Sequence, residues 1–118
     1  MKAILLIDHG SRRGEANEML VDVAALVERL SNGAVLVCPA HMELAEPSIA
    51  QGFAECVRRG ATEVIAVPYM LSPGRHSTQD IPRMVGEAAQ THAVPFRVTP
   101  ALGLDEKLAA VVLERANG

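Results

Sequence analysis

Aromatic residues are scarce in this sequence, which has no tryptophan, one tyrosine and two phenylalanines among 118 residues. Proteins that bind single-stranded nucleic acid stack the bases on aromatic side chains, and this chain has too few for such a platform. Basic residues are not in excess either, because the formal net charge is −3. Binding to nucleic acid depends on clustered Lys and Arg at the phosphates, so we do not expect a nucleic-acid partner.

Cysteines and long apolar runs are also few. The two cysteines, Cys38 and Cys56, match neither a CxxC pair nor a zinc-site spacing. We therefore predict that both are small core residues, as free cysteines often are. The first apolar run, residues 2–7, is too short for a signal-peptide core or a membrane span. We expect a cytoplasmic protein without a membrane partner.

Short β-branched runs alternate with longer amphipathic stretches four times along the chain. This pattern predicts an α/β fold, a three-layer sandwich with a four-stranded parallel sheet, in which residues 1–118 form a single domain. The predicted strands cover residues 2–7, 34–38, 63–68 and 95–99. The predicted helices cover residues 14–30, about 47–60 from Pro47 onward, a stretch beginning near residue 80 or 81, and 104–115. In the last helix, the residues predicted to face inward are Leu108, Ala109, Val112 and Leu113.

Two histidines follow predicted strands at the end of the sheet where open α/β sheets bind ligands. His9 comes after the first strand, and His76 comes soon after the third. The loops 8–13, 39–46, 69–80 and 100–104 are expected to meet at this end. A neutral imidazole is both a metal ligand and a proton acceptor near neutral pH. Two imidazoles facing one pocket therefore indicate chemistry that exchanges protons for a metal.

Three other polar residues in these loops, and His92 at the end of the third helix, have functional or structural interpretations. Glu43 could support the imidazoles or receive protons. Glu46 precedes Pro47, and we expect it to face the positive end of the second helix in a structural role. His41 could belong to the site or be directed elsewhere. His92 lies where a cation offsets the dipole at the end of the third helix, so a structural role is expected.

Arginines complete the predicted site. Arg12, Arg13 and Arg75 could hold ligand carboxylates as bidentate donors.

Three blocks of residues occur in a specific order and spacing. They are His9-Gly10-Ser11-Arg12 with Ala16-Asn17, then Glu43-Leu44-Ala45-Glu46-Pro47-Ser48-Ile49, and then Leu71-Ser72-Pro73-Gly74-Arg75-His76 with Asp80-Ile81-Pro82. In these blocks the chain resembles the small class II tetrapyrrole chelatases, the sirohydrochlorin cobaltochelatase and ferrochelatase family, in its single-half form. The resemblance covers nearly the whole chain.

The resemblance implies an enzyme, a lyase that inserts a divalent metal into sirohydrochlorin without ATP, in siroheme or cobalamin biosynthesis. It implies catalytic and metal-handling roles for His9, His76 and Glu43. It implies a chelatase-like half domain that forms a homodimer, with no permanently bound cofactor and with Fe²⁺, Co²⁺ or Ni²⁺ as a substrate. The residues expected to bind the tetrapyrrole are Ser11, Arg12, Arg13, Ser72, Gly74 and Arg75. The resemblance also implies a wide ring that needs apolar walls. The candidates for these walls are Tyr69, Met70, Leu71, Ala101 and Leu102.

Alternatives stay open at this point. A carrier of metal or tetrapyrrole could use the same histidines without turnover. Phosphoryl transfer through a phosphohistidine is disfavoured because Asp8, next to His9, would repel phosphate. His41 stands where relatives more often have an apolar residue, and the block that ends at His76 is closer to the iron-inserting branch. The physiological metal and the residue that accepts the pyrrole protons are not determined by the sequence.

Overall fold

The structure, a computed structural model, describes residues 1–118 apart from the side chains of His76 and Ser77. Its four strands are all parallel and lie in the order β2-β1-β3-β4. They are β1 (Lys2–Asp8), β2 (Leu36–His41), β3 (Glu63–Pro68) and β4 (Phe96–Val98). The helices are α1 (Gly14–Leu30), α2 (Ile49–Arg58), α3 (Ile81–His92) and α4 (Glu106–Asn117), and one turn of π-helix, His76–Asp80, leads into α3.

Helices pack on both faces of the sheet. On one face, Leu20 and Ala24 of α1 pack with Leu6 and Val37 of the sheet. On the other face, α2 and α3 contribute a larger cluster that includes Phe53, Ile81 and Val85, together with the buried thiols Cys38 and Cys56. The predicted three-layer α/β sandwich with a four-stranded parallel sheet is confirmed, and so is the prediction that both cysteines are core residues.

The second strand is displaced from its predicted position at residues 34–38. It covers Leu36–His41, so it includes Pro39, which had been expected to begin a loop. Proline lacks an amide donor and is found in strands mainly at sheet edges. β2 pairs only with β1 and is such an edge strand. His41 consequently lies inside the strand and is not part of the loop.

The second helix begins later than predicted, because its N-cap is Ser48 and Pro47 lies outside it. The Ser48 hydroxyl accepts a hydrogen bond from the Gln51 amide at 3.2 Å, and the Gln51 side chain accepts one from the Ser48 amide at 2.7 Å. Such a reciprocal capping box satisfies two amides that the helix leaves without partners. The Gln51 side chain also donates to Glu46 at 2.9 Å, consistent with a structural role for Glu46.

The inward face predicted for the last helix is wrong at three of its four residues for the chain taken alone: Ala109, Val112 and Leu113 are exposed, while Leu108 is half-buried. No residue of α4 is buried, and Val112 and Leu113 are 67% and 64% exposed. The helix has a local start signal, since the Asp105 carboxylate accepts a hydrogen bond from the Lys107 amide at 2.8 Å. Helical periodicity identifies an apolar face, but it does not specify which surface covers that face.

The third helix and its surroundings agree with expectation in most respects. α3 begins at Ile81, with Pro82 in its opening turn, but the preceding turn of π-helix was not predicted. His92, in the last turn of α3, stacks on the ring of Phe53 with 5.7 Å between the ring centroids, in line with a structural role.

Within the part of the chain that the structure describes, no helix is long and apolar enough to cross a bilayer. The cytoplasmic location stays a prediction.

Candidate functional site

The carboxyl ends of β1 and β2 bring His9 and Glu43 together. Asp8 and His41 are the last paired residues of the two strands. Beyond them the ladder continues, because the Met42 amide donates to the Asp8 carbonyl at 2.9 Å and the Glu43 amide donates to the His9 carbonyl at 3.1 Å. The two candidate residues are therefore joined directly through their backbones, and both are exposed.

Gly10 is required for this arrangement. Its φ is +91°, a left-handed conformation that favours glycine. A Cβ atom built at this position would collide with the backbone carbonyl of Glu43. The turn after β1 thus lies directly against the turn after β2. Gly10 is therefore the residue that allows this close backbone approach.

The next residue, Ser11, is held by the first turns of α1. Its amide donates to the Asn17 side-chain oxygen at 3.0 Å, and the Asn17 side-chain amide donates to the Ser11 carbonyl at 2.7 Å. The Ser11 hydroxyl accepts a hydrogen bond from the Arg13 amide at 3.0 Å. Sequence reasoning noted Asn17 only as part of a matching block and missed this role. The sequence did contain a signal for this role of Asn17, which is a polar residue in the opening turns of the helix that follows Gly10.

The loop after β3 lies beside the loop after β1. The Tyr69 amide donates to the Ile7 carbonyl at 2.6 Å, which extends the β1–β3 pairing. Further along, the Gly74 carbonyl accepts hydrogen bonds from the amide and hydroxyl of Thr78, at 2.9 and 2.7 Å. Ser72, Gly74 and Arg75 of this loop are exposed. The side chain of His76 lies outside the described residues, so its convergence with His9 and Glu43 stays a prediction.

Arg12 and Arg13 are exposed on the loop between β1 and α1. Together with Arg75 they place guanidinium groups on two loops at the carboxyl end of the sheet. Guanidinium groups bind carboxylates through paired hydrogen bonds. Among the residues whose side chains are described, no group of three or more His, Cys, Asp and Glu is arranged as a metal site. This finding does not test a site that includes His76.

An apolar cavity of about 240 Å³ lies between the loop after β3 and the start of α4. Its lining residues are Tyr69, Met70, Leu71, Leu102 and Leu108. Four of these five were expected as walls, and Leu108 of α4 was not. The cavity is smaller than the roughly 300–1,000 Å³ typical of ligand pockets, so a large ring would need additional surface.

Among the residues whose burial the structure describes, His41 is the single buried polar or charged residue, with 1% of its surface exposed. Its Nδ1 atom lies 2.6 Å from Oδ1 of Asp8. The sequence left open whether His41 belongs to the site. The structure places its ring below the exposed surface, where it contacts the residue that precedes His9.

Known protein families provide a second line of evidence about this site. The family model CbiX matches residues 3–118, almost the entire chain. This chain belongs to the CbiX family. The resemblance noted in the sequence is thereby confirmed.

Individual relatives of this CbiX chain agree with the family assignment. The chain is 42% identical over 113 residues to the chloroplastic sirohydrochlorin ferrochelatase of Arabidopsis thaliana, covering 95% of this chain and 50% of the relative. It is 27% identical over 124 residues to a sirohydrochlorin cobaltochelatase of Saccharolobus islandicus, covering 99% of this chain and 94% of the relative.

A solved structure also matches this fold. The sirohydrochlorin chelatase SirB from Bacillus subtilis subspecies spizizenii, in complex with cobalt, has a TM-score of 0.83 at 29% identity. The match covers 98% of this chain and 50% of the SirB chain. The CbiX chain described here thus spans about half the length of SirB and of the plant relative, whereas it spans nearly all of the Saccharolobus relative.

Proposed function

We propose that this protein is a sirohydrochlorin chelatase, a lyase that inserts Fe²⁺ or Co²⁺ into the tetrapyrrole without ATP. The observation that carries the proposal is the backbone hydrogen bond between His9 and Glu43, which joins the turns that contain these two residues at the exposed end of the sheet. Residues 1–118 act as one chelatase-like half domain. Membership in the CbiX family and the names of the relatives support this function.

The ligand chemistry fits a metal in transit. Imidazole and carboxylate groups accept several divalent transition metals, and no metal is selected by affinity order alone. Two pyrrole N–H protons must leave as the metal enters the ring, so the site needs proton acceptors as well as ligands. His9, His76 and Glu43 are proposed for both tasks. The divalent ion is a substrate in this mechanism, and no permanently bound cofactor is required.

The tetrapyrrole is proposed to bind against the apolar cavity and the exposed loops. Its ring would contact Tyr69, Leu71 and Leu102, and its carboxylates would pair with arginines. The proposed polar contacts to the tetrapyrrole are Ser11, Arg12, Arg13, Ser72, Gly74 and Arg75. The exposure of the three arginines, on the same end of the sheet as His9, supports this arrangement.

We further propose that two copies of the chain form a homodimer through α4. Leu113 and Val112 are more than 60% exposed in a helix that buries none of its residues within the chain. Exposed apolar patches of this kind mark interaction surfaces. The cavity under α4 is also too small for a large ring, and the SirB relative is about twice as long as this chain. A two-fold partner would supply the missing surface.

The activity is tested by anaerobic visible absorbance of sirohydrochlorin with Fe²⁺ or Co²⁺ at substoichiometric protein. We expect multiple turnovers with the wild-type protein. His9→Ala, His76→Ala and Glu43→Gln should each lower kcat by about 10²–10⁴-fold, the usual contribution of a positioned acid–base group. Glu87→Gln, an exposed change on α3, serves as the matched control and should leave the rate unchanged.

Two outcomes would contradict the proposal. Insertion no faster than in the metal-only control would exclude a chelatase for these metals. A spectral change that stops at one equivalent of protein would indicate a carrier of metal or tetrapyrrole.

The homodimer is tested by measuring molar mass in solution, by light scattering or sedimentation. We expect a mass of two chains for the wild-type protein. Leu113→Glu should give the mass of one chain and lose activity. Leu30→Glu is a matched control, since Leu30 is 70% exposed at the end of α1, and this variant should keep the mass of two chains. An active wild-type monomer would contradict the proposed interface.

A further inference from the structure

The hydrogen-bonded pair of the buried His41 and the partly exposed Asp8 is not explained by packing alone. The two side chains lie side by side on the face of the sheet that α1 covers, because they are the last paired residues of β2 and β1. Asp8 is 23% exposed, while His41 is almost fully enclosed. An ionised carboxylate only accepts hydrogen bonds, so His41 Nδ1–H donates to Asp8 Oδ1 across 2.6 Å.

A polar ring in this position has an energetic cost that an apolar residue would avoid. Burial of a polar group is unfavourable unless the group is hydrogen-bonded, and even then the net gain over an apolar pair is small. The neighbouring core on this face is apolar, with Leu6, Leu20 and Val37. The position thus holds a hydrogen-bonding ring where packing alone would favour an apolar side chain, and its contacts indicate what the ring does.

Three hydrogen bonds of this pair join segments that flank the site. The side-chain bond links β2 to the residue before His9. The Met42 amide donates to the Asp8 carbonyl at 2.9 Å, and the His41 amide donates to the Pro47 carbonyl at 2.8 Å, which closes the loop that contains Glu43. The pair lies one residue from His9 on one strand and two residues from Glu43 on the other.

We infer that His41 is a positioning residue, which holds the His9 turn and the Glu43 turn at a fixed separation through its hydrogen bond to Asp8. The inference rests on the proposed function, in which His9 and Glu43 handle the metal. Groups that orient metal ligands affect metal affinity by about 10–100-fold. His41 should therefore govern metal capture. It should affect tetrapyrrole binding less, because only part of the proposed tetrapyrrole surface, Ser11, Arg12 and Arg13, lies on a loop that the pair joins.

Two variants of nearly equal shape isolate the hydrogen bond. His41→Asn keeps a side-chain N–H donor near the position of Nδ1, whereas His41→Leu removes the donor and leaves an apolar group. We expect both variants to fold with wild-type cooperativity in urea. His41→Leu should raise the KM for Co²⁺ by about 10–100-fold and raise the KM for sirohydrochlorin by a much smaller factor. His41→Asn should restore most of the loss.

A second readout does not depend on turnover. Titration of each protein with Co²⁺ alone, followed by visible absorbance, should give a dissociation constant that rises in His41→Leu by the same factor as the KM. A purely structural role would move both KM values together, or would impair the Asn and Leu variants equally.

The outcomes separate this inference from the proposed function. Wild-type turnover together with equal Co²⁺ affinity in His41→Leu and wild type would overturn the inference and leave the function standing. A wild-type protein that neither binds Co²⁺ nor accelerates its insertion would overturn the function, and the inference with it.

Discussion

The two ends of the sheet are built in different ways. At the amino end, Glu28 uses both carboxylate oxygens, accepting from the Val37 amide at 2.7 Å and from Arg59 at 3.0 Å. At the carboxyl end, Arg12, Arg13, Glu43 and Arg75 are exposed, and the turns after β1 and β2 are joined by backbone hydrogen bonds. Charged side chains that pair with other groups of the chain stabilise the fold. Exposed charged side chains on a well-anchored turn can instead bind a ligand.

The largest expected effect on this difference comes from replacing a glycine at each end of the sheet. Gly10 and Gly33 both have positive φ, +91° and +81°. A Cβ at Gly10 meets the Glu43 backbone, while a Cβ at Gly33 meets nothing within 4 Å. Gly33→Ala should cost about 1–2 kcal/mol of unfolding free energy, for the backbone conformation alone.

Gly10→Ala should cost more, about 2–5 kcal/mol, because a clash is added to the same backbone cost. It should also abolish chelatase activity, whereas Gly33→Ala should retain it. Urea unfolding and the absorbance assay measure the two effects. Equal losses of stability in the two variants would mean that the contact between Gly10 and Glu43 is not tight.

Side-chain hydrogen bonds give a second, smaller test. Asn17 holds Ser11 at the carboxyl end, and the Ser31 hydroxyl donates to the Glu28 carbonyl at 2.7 Å at the amino end. Asn17→Ala and Ser31→Ala should each cost about 1–2 kcal/mol of stability. Only Asn17→Ala should also reduce activity, by about tenfold, because it frees the turn that contains His9. A similar loss of activity in Ser31→Ala would contradict the division between the two ends.

The smallest effect is expected from pH at the amino end. The hydrogen bonds from Arg59 and from the Val37 amide hold the pKa of Glu28 below its ordinary value of 4.5. A carboxyl group with a lowered pKa in the folded state stabilises the protein above its unfolded pKa, and this contribution is lost as pH falls through the folded value. Glu28→Gln should thus cost about 1 kcal/mol at pH 7 and progressively less below pH 4.5.

Urea unfolding of wild type and Glu28→Gln, repeated from pH 7 to pH 3, measures this difference. Glu18→Gln, an exposed change on the same helix, should stay within about 0.5 kcal/mol of wild type throughout. A cost for Glu28→Gln that does not change with pH would assign the effect to packing, with no contribution from the charge.

Local patterns were sufficient for most of the fold. α1 and β3 have the predicted bounds, because α1 is a strongly periodic amphipathic segment and β3 is a short continuous apolar run that ends at a proline. β2 was misplaced because Pro39 and His41 resemble loop residues, and both are accommodated only through their place in the sheet. The orientation of α4 could not be derived, since a periodic pattern contains no information about the surface that covers it.

The candidate site was predictable to a similar degree. Parallel topology brings the loops with His9, Glu43 and Arg75 to one end of the sheet, as expected. The direct hydrogen bond between the His9 and Glu43 backbones depends on strand register, which the sequence did not specify. The bond between His41 and Asp8 depends on the same register, and it was missed because His41 was placed in a loop.

The exposure of α4 has a consequence for how the protein responds to its own concentration. Because the chain buries no residue of this helix, covering its apolar side in the proposed homodimer is a bimolecular event. Mass action then couples folding to association, so the melting temperature should rise with protein concentration. Dilution would therefore lower the stability of the folded protein, even though every contact within one chain stays the same.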